Sequence, residues 1–313
     1  MIPVIGNEAV LAAVSAGQAI DVTRRAFERH TRGEWEMPPK VYLDSPPHGD
    51  FRAMPARGDG FALLKWVTSF PGNVGGPNPV VSGTVLLSDA TTGRTLAIID
   101  GRAVTALRTG AAAAVSAKAL AAEGARSVGI VGCGVHGAWA ARCLVAAGFG
   151  PGVCADIRPE AAESLADEMG WRAGPVAEAI GCDIVVTVTP GDRAVLGAED
   201  LRPGQHLAAL GADAHQKAEL TVDALDRCRL FCDEWEQAST GGELAGAVAA
   251  GRVVAEQVTP LGSVLVGDRP GRESAEEITL FDSTGLAIQD LAVAIAVYEG
   301  WRSRKVDAAT VEL

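Results

Sequence analysis

The segment from Ser127 to Asp156 constrains the fold of this chain more than any other. It opens with a short apolar run over residues 128–131, which is typical of a buried parallel strand, and a G-x-G-x-x-G sequence follows at once. A helical pattern over residues 138–147 and a second short strand come next. Asp156 lies 24 positions after the first glycine, close to the spacing of a dinucleotide-binding unit. The segment therefore predicts a strand–loop–helix–strand unit that binds a dinucleotide.

Each glycine of this loop has its own physical role. Gly132 permits a tight turn, Gly134 lets a pyrophosphate approach the backbone, and Gly137 lets the helix pack closely on the strand. The helix N-terminus would then present unpaired N–H groups to the phosphates. Asp156 would accept hydrogen bonds from the adenosine ribose, with Arg158 two residues further on. An ordinary strand-to-helix turn is the alternative, but the acid at this distance argues against it. Further candidates for cofactor contact are Val135 and His136 in the loop and Thr189 after a later strand.

The composition favours a globular α/β protein. Hydrophobic residues make up 48% of the chain and aromatic residues 5%, while the net charge of −12 argues against a nucleic-acid surface. No secretory signal and no apolar run long enough to span a membrane are present, so we expect a cytoplasmic protein. The six cysteines are scattered and the histidines lack ligand spacing, so no metal site is predicted.

The two parts of the chain carry different patterns. Residues 35–100 contain short strand-like runs without helices between them, which favours an antiparallel or mixed sheet. Beyond Asp156, strand-like and helical stretches alternate, as in a parallel sheet. We therefore predict an α/β fold in which residues 119–282 form a doubly wound Rossmann sheet. Residues 1–118 with 283–313 are predicted to form a separate α+β domain for substrate binding and dimerisation.

Two predicted helices connect and close these domains. An alanine-rich helix over residues 104–122 leads into the glycine loop. A helix over residues 285–301 closes the chain, and Ser283 or Thr284 is its expected N-cap.

Four cationic residues of the first region stand out in an acidic chain: Lys40, Arg52, Lys65 and Arg108. The simpler alternative is four solvated side chains. Lys65 argues against it because the surrounding sequence, FALLKWV, is apolar, and a buried lysine is costly unless it is paired or its pKa falls. Such a lysine is a candidate for proton transfer. Cations that converge on one pocket would bind a carboxylate, and their repulsion would lower the Lys65 pKa.

Asp213 follows Gly211-Ala212 at the end of a strand-like run over residues 206–213. Ligands of parallel α/β sheets bind outside the carboxyl ends of the strands, so a carboxylate here would face the nicotinamide end of the cofactor. A turn or helix-capping aspartate is the alternative.

Several segments together resemble one known family. They are MPPKVYLD, FRAMPA, LLKWVTSFPGN, GTVLL, ALRTGAAAAVSAKALA, VGIVGCGVHGAWAARCL and GRESAEEITLFDSTGLAIQDLAVA. These segments are similar to the ornithine cyclodeaminase/μ-crystallin family, in particular to its archaeal-type alanine dehydrogenase branch, over about residues 35–300. The resemblance implies a homodimer with a Rossmann domain and a separate substrate domain that forms the dimer interface.

The resemblance also implies roles for individual residues. Lys65 matches the catalytic acid/base, and Asp213 matches the aspartate that handles the amino group or water at the reacting carbon. Lys40 and Arg108 match contacts to the substrate carboxylate. The expected cofactor contacts that the resemblance adds are Thr109 beside the phosphates and Ser283 and Thr284 near the nicotinamide.

Arg52 bears on the substrate. Ornithine cyclodeaminases carry a glutamate at the corresponding place, which holds the distal amino group, so a cation there would repel a diamine. It favours a small keto acid or one with a second carboxylate. Arg52 thus makes ornithine and lysine poor substrates.

The resulting hypothesis is reversible NAD-dependent oxidative deamination of a small, alanine-like L-amino acid to its 2-keto acid and ammonia. Asp156 favours NAD over NADP because a carboxylate repels a 2′-phosphate. Three alternatives stay open: a cyclodeaminase, a reductase of dicarboxylic imines such as iminosuccinate, and a non-catalytic NAD(P)H-dependent binding protein like μ-crystallin.

Overall fold

A computed structural model describes residues 1–190, 193–213 and 217–312. The strands are β1 (Ile2–Ile5), β2 (Val41–Ser45), β3 (Gly49–Gly58), β4 (Phe61–Ser69), β5 (Val81–Asp89), β6 (Thr95–Asp100), β7 (Val128–Val131), β8 (Gly152–Ala155), β9 (Arg172–Ala173), β10 (Ile184–Thr187), β11 (His206–Ala209), β12 (Cys228–Cys232), β13 (Val258–Pro260), β14 (Ile278–Asp282) and β15 (Ala309–Val311). The helices are α1 (Asn7–Ala13), α2 (Ala16–Thr31), α3 (Gly101–Leu120), α4 (Val135–Ala146), α5 (Pro159–Met169), α6 (Val176–Ile180), α7 (Val222–Leu225), α8 (Trp235–Gly241), α9 (Ala245–Ala249), α10 (Leu261–Leu265) and α11 (Ala287–Arg302).

The chain forms two compact units. The first unit consists of Met1–Arg108 together with the chain from Leu286 onward, and the second unit consists of Thr109–Gly285. The first crossing between the units falls inside α3, and the second falls just before α11.

A mostly antiparallel sheet forms the first unit, in the order β15-β1-β6-β5-β4-β3-β2. The hairpin between β5 and β6 turns at Gly93, whose φ of +73° suits a residue without a Cβ. Along β4 the side chains alternate, so that Leu63, Lys65 and Val67 are buried while Leu64 and Trp66 are exposed. This alternation places Lys65 on the buried face of the sheet.

Helix α11 packs on this sheet, against β3 and β4, and also against α2. Its sequence is mostly apolar, and most of its residues are buried. The helix begins after Leu286, whose backbone N–H donates to Oε1 of Gln289 at 3.2 Å. The expected capping by Ser283 or Thr284 is therefore wrong, because the helix begins further along the chain and the hydroxyls of these two residues bond to Asp233.

The second unit contains a parallel sheet in the order β13-β12-β14-β11-β10-β7-β8-β9. Its central strands β7, β10 and β11 are buried on both faces, as the continuous apolar runs predict. The order places β7, followed by the glycine loop, beside β10, where the strand order reverses. Such a switch point is where doubly wound sheets bind their ligands. The predicted Rossmann fold is confirmed.

No helix in residues 1–190, 193–213 and 217–312 is long and apolar enough to cross a membrane.

Candidate functional site

The glycine loop after β7 has the geometry that its sequence predicts. Gly132 has a φ of +102°, and a Cβ there would lie 2.6 Å from the carbonyl oxygen of Val188. A Cβ on Gly137 would overlap the carbonyl oxygen of Gly132, so this glycine lets α4 pack against the turn. A Cβ on Gly134 would meet nothing within 4 Å. Two glycines are thus required by packing, whereas Gly134 leaves space beside the backbone.

The start of α4 can receive an anion. Gly134 is its N-cap and supplies no side-chain cap for the first N–H groups. Val135 and His136 form the first turn, and the Val135 side chain is 61% exposed. Free N–H groups at a helix N-terminus bind phosphate, so this end of α4 fits a pyrophosphate.

Asp156 follows β8 directly and is tied to the loop. Its Oδ2 accepts from the backbone N–H of Cys133 at 2.7 Å, and its Oδ1 accepts from the backbone N–H of Arg158 at 2.9 Å. The Arg158 side chain is exposed and lies 3.6 Å from the carboxylate. The carboxylate is therefore fixed beside the glycine loop with acceptor capacity left for a ribose diol. These residues together fit a dinucleotide whose ribose carries no 2′-phosphate.

Thr109 is buried at the point where α3 enters the second unit. Its neighbour Gly110 lies against α4, because a Cβ there would overlap the backbone of Trp139. This close approach of α3 to α4 places Thr109 near the helix that follows the glycine loop. The contact of Thr109 with the cofactor phosphates stays a prediction.

Glu219 is a buried acid that the sequence did not single out. Its Oε1 accepts from the backbone N–H and the hydroxyl of Thr189, at 2.6 and 2.8 Å. Its Oε2 accepts from the Thr187 hydroxyl and from the backbone N–H of Gly211, both at 2.8 Å. One carboxylate thus holds the chain after β10 to the chain after β11. Thr189, predicted to contact the cofactor, is fixed by this connection.

Two further acids are buried nearby: Glu243 lies close to Glu219, and Asp282 lies close to Glu243. Glu243 accepts from the backbone N–H groups of Glu219 and Leu220. Burial, with the charge of Glu219, raises the pKa of Glu243 to about 8. Burial, with the charges of Asp233 and Glu243, raises the Asp282 pKa well above its usual value. Glu243 and Asp282 therefore hold their protons more strongly than ordinary carboxyl groups do.

Asp213 lies four residues beyond the end of β11 and is half-buried. Its Oδ1 pairs with Nζ of Lys217 at 2.7 Å. Residues 214–216, including His215, lie outside the described part of the chain. Asp213 thus has a carboxylate at the carboxyl edge of the parallel sheet, as predicted, but its catalytic role stays a prediction.

Ser283 and Thr284 follow β14, and their hydroxyls lie close to the carboxylate of Asp233. The Thr284 hydroxyl donates to Oδ1 of Asp233 at 3.0 Å, and the Ser283 hydroxyl lies 3.5 Å from its Oδ2. The backbone N–H of Gly285 also donates to Oδ2, at 2.7 Å. Asp233 therefore shapes the segment that was predicted to lie near the nicotinamide. Asp233 directly follows β12, and the sequence analysis did not single it out.

The first unit contains a buried cluster around Asp290 of α11. The Asp290 Oδ1 accepts from Nζ of Lys65 at 2.9 Å and from Nε of Arg108 at 3.3 Å. The Asp290 and Lys65 side chains are 0% and 2% exposed, so water barely reaches the pair. Asp290 was missed by the sequence analysis. The signal that selected Lys65, a charge inside an apolar stretch, is also present in GLAIQDLAVA.

The cluster changes the proton affinity of Lys65. Burial is the main cause that lowers the Lys65 pKa, from 10.5 to about 8. The charges of Arg108 and Arg52 lower the pKa further, while Asp290 raises it. Like-charge repulsion therefore acts in the predicted direction, but it is a smaller cause than burial. A lysine in this state exchanges a proton near neutral pH.

Arg52 lies on the same buried face of the sheet as Lys65. It comes two residues before Met54 on β3, and Met54 is the residue that pairs with Lys65 on β4. The Nε and one terminal nitrogen of Arg52 bind the two oxygens of Asp50, at 2.6 and 3.2 Å. Its guanidinium also lies over the Tyr42 ring. The positive charge that the sequence assigned to the substrate is thus already shared with Asp50.

Three of the four predicted cations are buried, so the solvated alternative is wrong for Arg52, Lys65 and Arg108. Lys40 is half-buried and directly precedes β2. The structure brings Lys65 and Arg108 together on Asp290, with Arg52 close enough to affect Lys65. Such a group of cations can orient a small carboxylate and supply an acid.

A parallel sheet with this glycine loop and a fixed acid defines a dinucleotide-binding protein of the Rossmann class. The chain belongs to the ornithine cyclodeaminase/mu-crystallin family, whose model matches residues 5–305. The predicted family is therefore confirmed.

Individual relatives match nearly the whole chain. It is 41% identical to the alanine dehydrogenase of Archaeoglobus fulgidus over 310 residues, which is 97% of this chain and 96% of that protein. The solved structure of an archaeal alanine dehydrogenase dimer with bound NAD is similar, with a TM-score of 0.95, 40% identity and 99% of both chains covered. The iminosuccinate reductase of Paracoccus denitrificans in complex with NAD+ matches with a TM-score of 0.91, 32% identity and 100% and 99% coverage.

Proposed function

We propose that this chain is an NAD-dependent oxidoreductase that acts on CH–NH2 and C=N bonds and interconverts a small L-amino acid with its 2-keto acid and ammonia. The observation that carries the proposal is the buried Lys65, whose pKa is about 8 and which shares Asp290 with Arg108. A chain that also contains a dinucleotide loop can combine hydride transfer with proton transfer. The similarity to an alanine dehydrogenase over nearly the full length of both chains supports this proposal.

The second unit supplies the cofactor site. Gly132, Gly134 and the N-terminus of α4 would hold the pyrophosphate, and Asp156 would hold the adenosine ribose. NAD supplies an acceptor for the hydride that leaves the amino-acid Cα. Asp156 favours NAD because its charge repels a 2′-phosphate. The NAD-bound structures of two relatives support this choice.

The first unit supplies the substrate carboxylate site. Arg108 orients the carboxylate, and Lys65 exchanges the proton that imine formation or hydrolysis requires. Lys40 is a further candidate for the carboxylate. Asp213 is the candidate for holding the amino group or the attacking water. With a pKa of about 8, Lys65 is mainly protonated at pH 7, which suits reduction of an imine, and it becomes a base at higher pH.

We also propose that the protein is a homodimer, built through the exposed face of the first unit's sheet. The apolar side chains of this face are those of Val41, Leu43, Leu64, Trp66 and Leu86. Phe51 stacks on Trp66 at 5.5 Å between ring centroids. An exposed apolar area of this kind marks an association site, and a solved relative is a dimer. Sedimentation should give a dimer for the wild type and a monomer for Trp66→Glu, with Ile157→Glu in the second unit as the matched control.

The deciding experiment follows NADH oxidation with ammonia and each of pyruvate, glyoxylate and oxaloacetate, and tests ornithine with NAD for proline. We expect turnover of pyruvate or glyoxylate. Proline formation without net NADH would identify a cyclodeaminase instead, and preferred oxaloacetate turnover would identify a dicarboxylic imine reductase.

A second experiment tests Lys65 itself. Lys65→Met should bind NADH as the wild type does but lose at least about 1000-fold in kcat/KM, since both the acid and a carboxylate contact are removed. Lys118→Met, on the same helix as Arg108 but ten residues away, is the control and should keep its activity. Unchanged turnover by Lys65→Met would overturn the assignment of Lys65 as the acid/base.

A further inference from the structure

Asp290 is the one carboxylate that contacts both Lys65 and Arg108 among the described residues of the first unit. It lies on α11, Lys65 lies on β4, and Arg108 lies on α3. All three side chains are buried, and Asp290 is fully so. A carboxylate in such a place is costly unless it is paired, so its two cationic partners are what make it tolerable in a mostly apolar helix.

The two cations bind the same oxygen. Nζ of Lys65 and Nε of Arg108 lie 2.9 and 3.3 Å from Oδ1, which holds the ammonium and the guanidinium side by side. Within the described residues, Oδ2 of Asp290 is buried and accepts no hydrogen bond. Two cations on one carboxylate leave a formal charge of +1. That charge matches a substrate with one carboxylate group.

We propose that Asp290 is a positioning residue of the reaction: its Oδ1 holds Lys65 and Arg108 side by side to receive one substrate carboxylate, and its charge keeps Lys65 protonated so that it can act as an acid. This inference rests on the proposed function. It adds a residue that acts through Lys65 and Arg108, rather than by touching the substrate.

The charged groups that act on Lys65 come from each element packed around it. Asp290 on α11 raises the Lys65 pKa, while Arg108 on α3 and Arg52 on β3 lower it, on top of the larger effect of burial. Removing the Asp290 charge would leave burial and two cations acting in one direction. The Lys65 pKa should then fall below about 8, by roughly one to three units.

Asp290→Asn tests the charge with little change of shape, because its amide oxygen can still accept from both cations. The pH profile of kcat/KM should shift its Lys65 limb to lower pH by at least about one unit. Imine reduction at pH 7 should fall, since less Lys65 is protonated. The rate of oxidative deamination at pH 7 should fall less than the rate of reduction, or should rise, because a larger fraction of Lys65 is deprotonated and can act as a base. Simple structural damage would reduce both directions without moving the limb.

A measurement without turnover gives the same information. The chain has five lysines, so labelling with ¹³C at the lysine ε-carbon gives few signals, and Lys65→Arg identifies the one from Lys65. In the apo protein its titration midpoint should lie near 8 for the wild type and lower for Asp290→Asn. This readout stands even if the wild type turns over none of the tested substrates, so the two proposals can fail separately.

Asp290→Glu keeps the charge but moves the oxygen by one methylene group. We expect the pH limb to stay within about half a unit of the wild type. The KM for the keto acid should rise several-fold, because the two cations are displaced. If Asp290→Asn does not fold, this variant decides: an unchanged KM would overturn the positioning role. A folded Asp290→Asn with an unmoved limb and an unmoved Lys65 midpoint would overturn the proposal as a whole.

Discussion

Asp50 and Arg52 form an ion pair with two contacts, Nε to Oδ1 at 2.6 Å and a terminal nitrogen to Oδ2 at 3.2 Å. They lie two residues apart on β3 and therefore point to the same face of the sheet. The Arg52 side chain is 6% exposed. A substrate carboxylate that used Arg52 would have to compete with Asp50, so the arginine alone does not select a dicarboxylic substrate.

This pairing predicts the effect of Asp50→Asn on substrate choice. When the Asp50 charge no longer competes, Arg52 would be more available to a second substrate carboxylate, and charge-assisted hydrogen bonds of this kind contribute about 1.5–3 kcal/mol. The ratio of kcat/KM for oxaloacetate to that for pyruvate, each with ammonia and NADH, should therefore rise roughly tenfold or more. Asp44→Asn is the matched control, because Asp44 lies opposite Asp50 on β2. An equal rise in both variants would show a general effect of charge.

Alanine substitutions should separate packing from cofactor binding in the glycine loop. Gly134→Ala should leave the free energy of unfolding within about 0.5 kcal/mol, because the added Cβ meets nothing within 4 Å and φ is −76°. It should still weaken NADH binding by at least about tenfold, since the methyl group occupies the space for the pyrophosphate. Gly137→Ala should bind NADH more weakly and should also lose about 1–3 kcal/mol of folding stability, because its Cβ would overlap Gly132.

These effects are measured by denaturant unfolding and by NADH fluorescence titration on the same samples. Unchanged NADH affinity in Gly134→Ala would contradict the placement of the pyrophosphate. Equal stability losses in the two variants would contradict the packing argument.

Asp156→Ser should shift the cofactor preference towards NADP. The serine removes the charge that repels a 2′-phosphate, keeps a hydroxyl beside the Cys133 N–H, and leaves the exposed Arg158 to attract the phosphate. The ratio of kcat/KM for NADPH to that for NADH should rise at least about tenfold. Asp167→Ser, an exposed charge on α5, should leave the ratio unchanged.

Stability should depend on pH through Glu243. Its pKa is raised from 4.5 to about 8 by burial, so the folded state holds a proton that the unfolded state releases above about pH 4.5. The free energy of unfolding should therefore fall as pH rises from 4.5 to 8, by a few kcal/mol at most. Glu219 and Asp282, whose pKa values are also raised, act in the same direction.

Glu243→Gln keeps an oxygen for the N–H groups of Glu219 and Leu220 but cannot ionise. Urea unfolding at pH 5 and pH 8 should show a smaller loss of stability for this variant than for the wild type. The exposed Glu236→Gln serves as control and should follow the wild type. A variant with the same loss as the wild type would show that Glu243 is already ionised in the folded protein at pH 5.

The amino-acid sequence by itself determined the nucleotide-binding fold and much of the candidate site. The glycine loop and Asp156 lie within 30 residues, and their geometry depends on local rules of turns, helix ends and strand periodicity. The apolar run around Lys65 likewise indicated burial, because alternation along one strand places a charge among core residues. Local patterns of this kind survive into the folded structure, and the family resemblance rests on the same segments.

Only the tertiary structure decided which polar and charged side chains meet. Lys65 and Asp290 are 225 residues apart, and Thr187 and Glu219 are 32 residues apart, so no local rule pairs them. The N-cap of α11 also depends on tertiary contacts, because the hydroxyls of Ser283 and Thr284 donate to Asp233 and do not cap the helix. Burial and long-range partners set the proton affinity of an ionisable group, and both arise only when distant segments pack together. For this reason the sequence identified Lys65 as a candidate acid, but its partner became visible only in the folded chain.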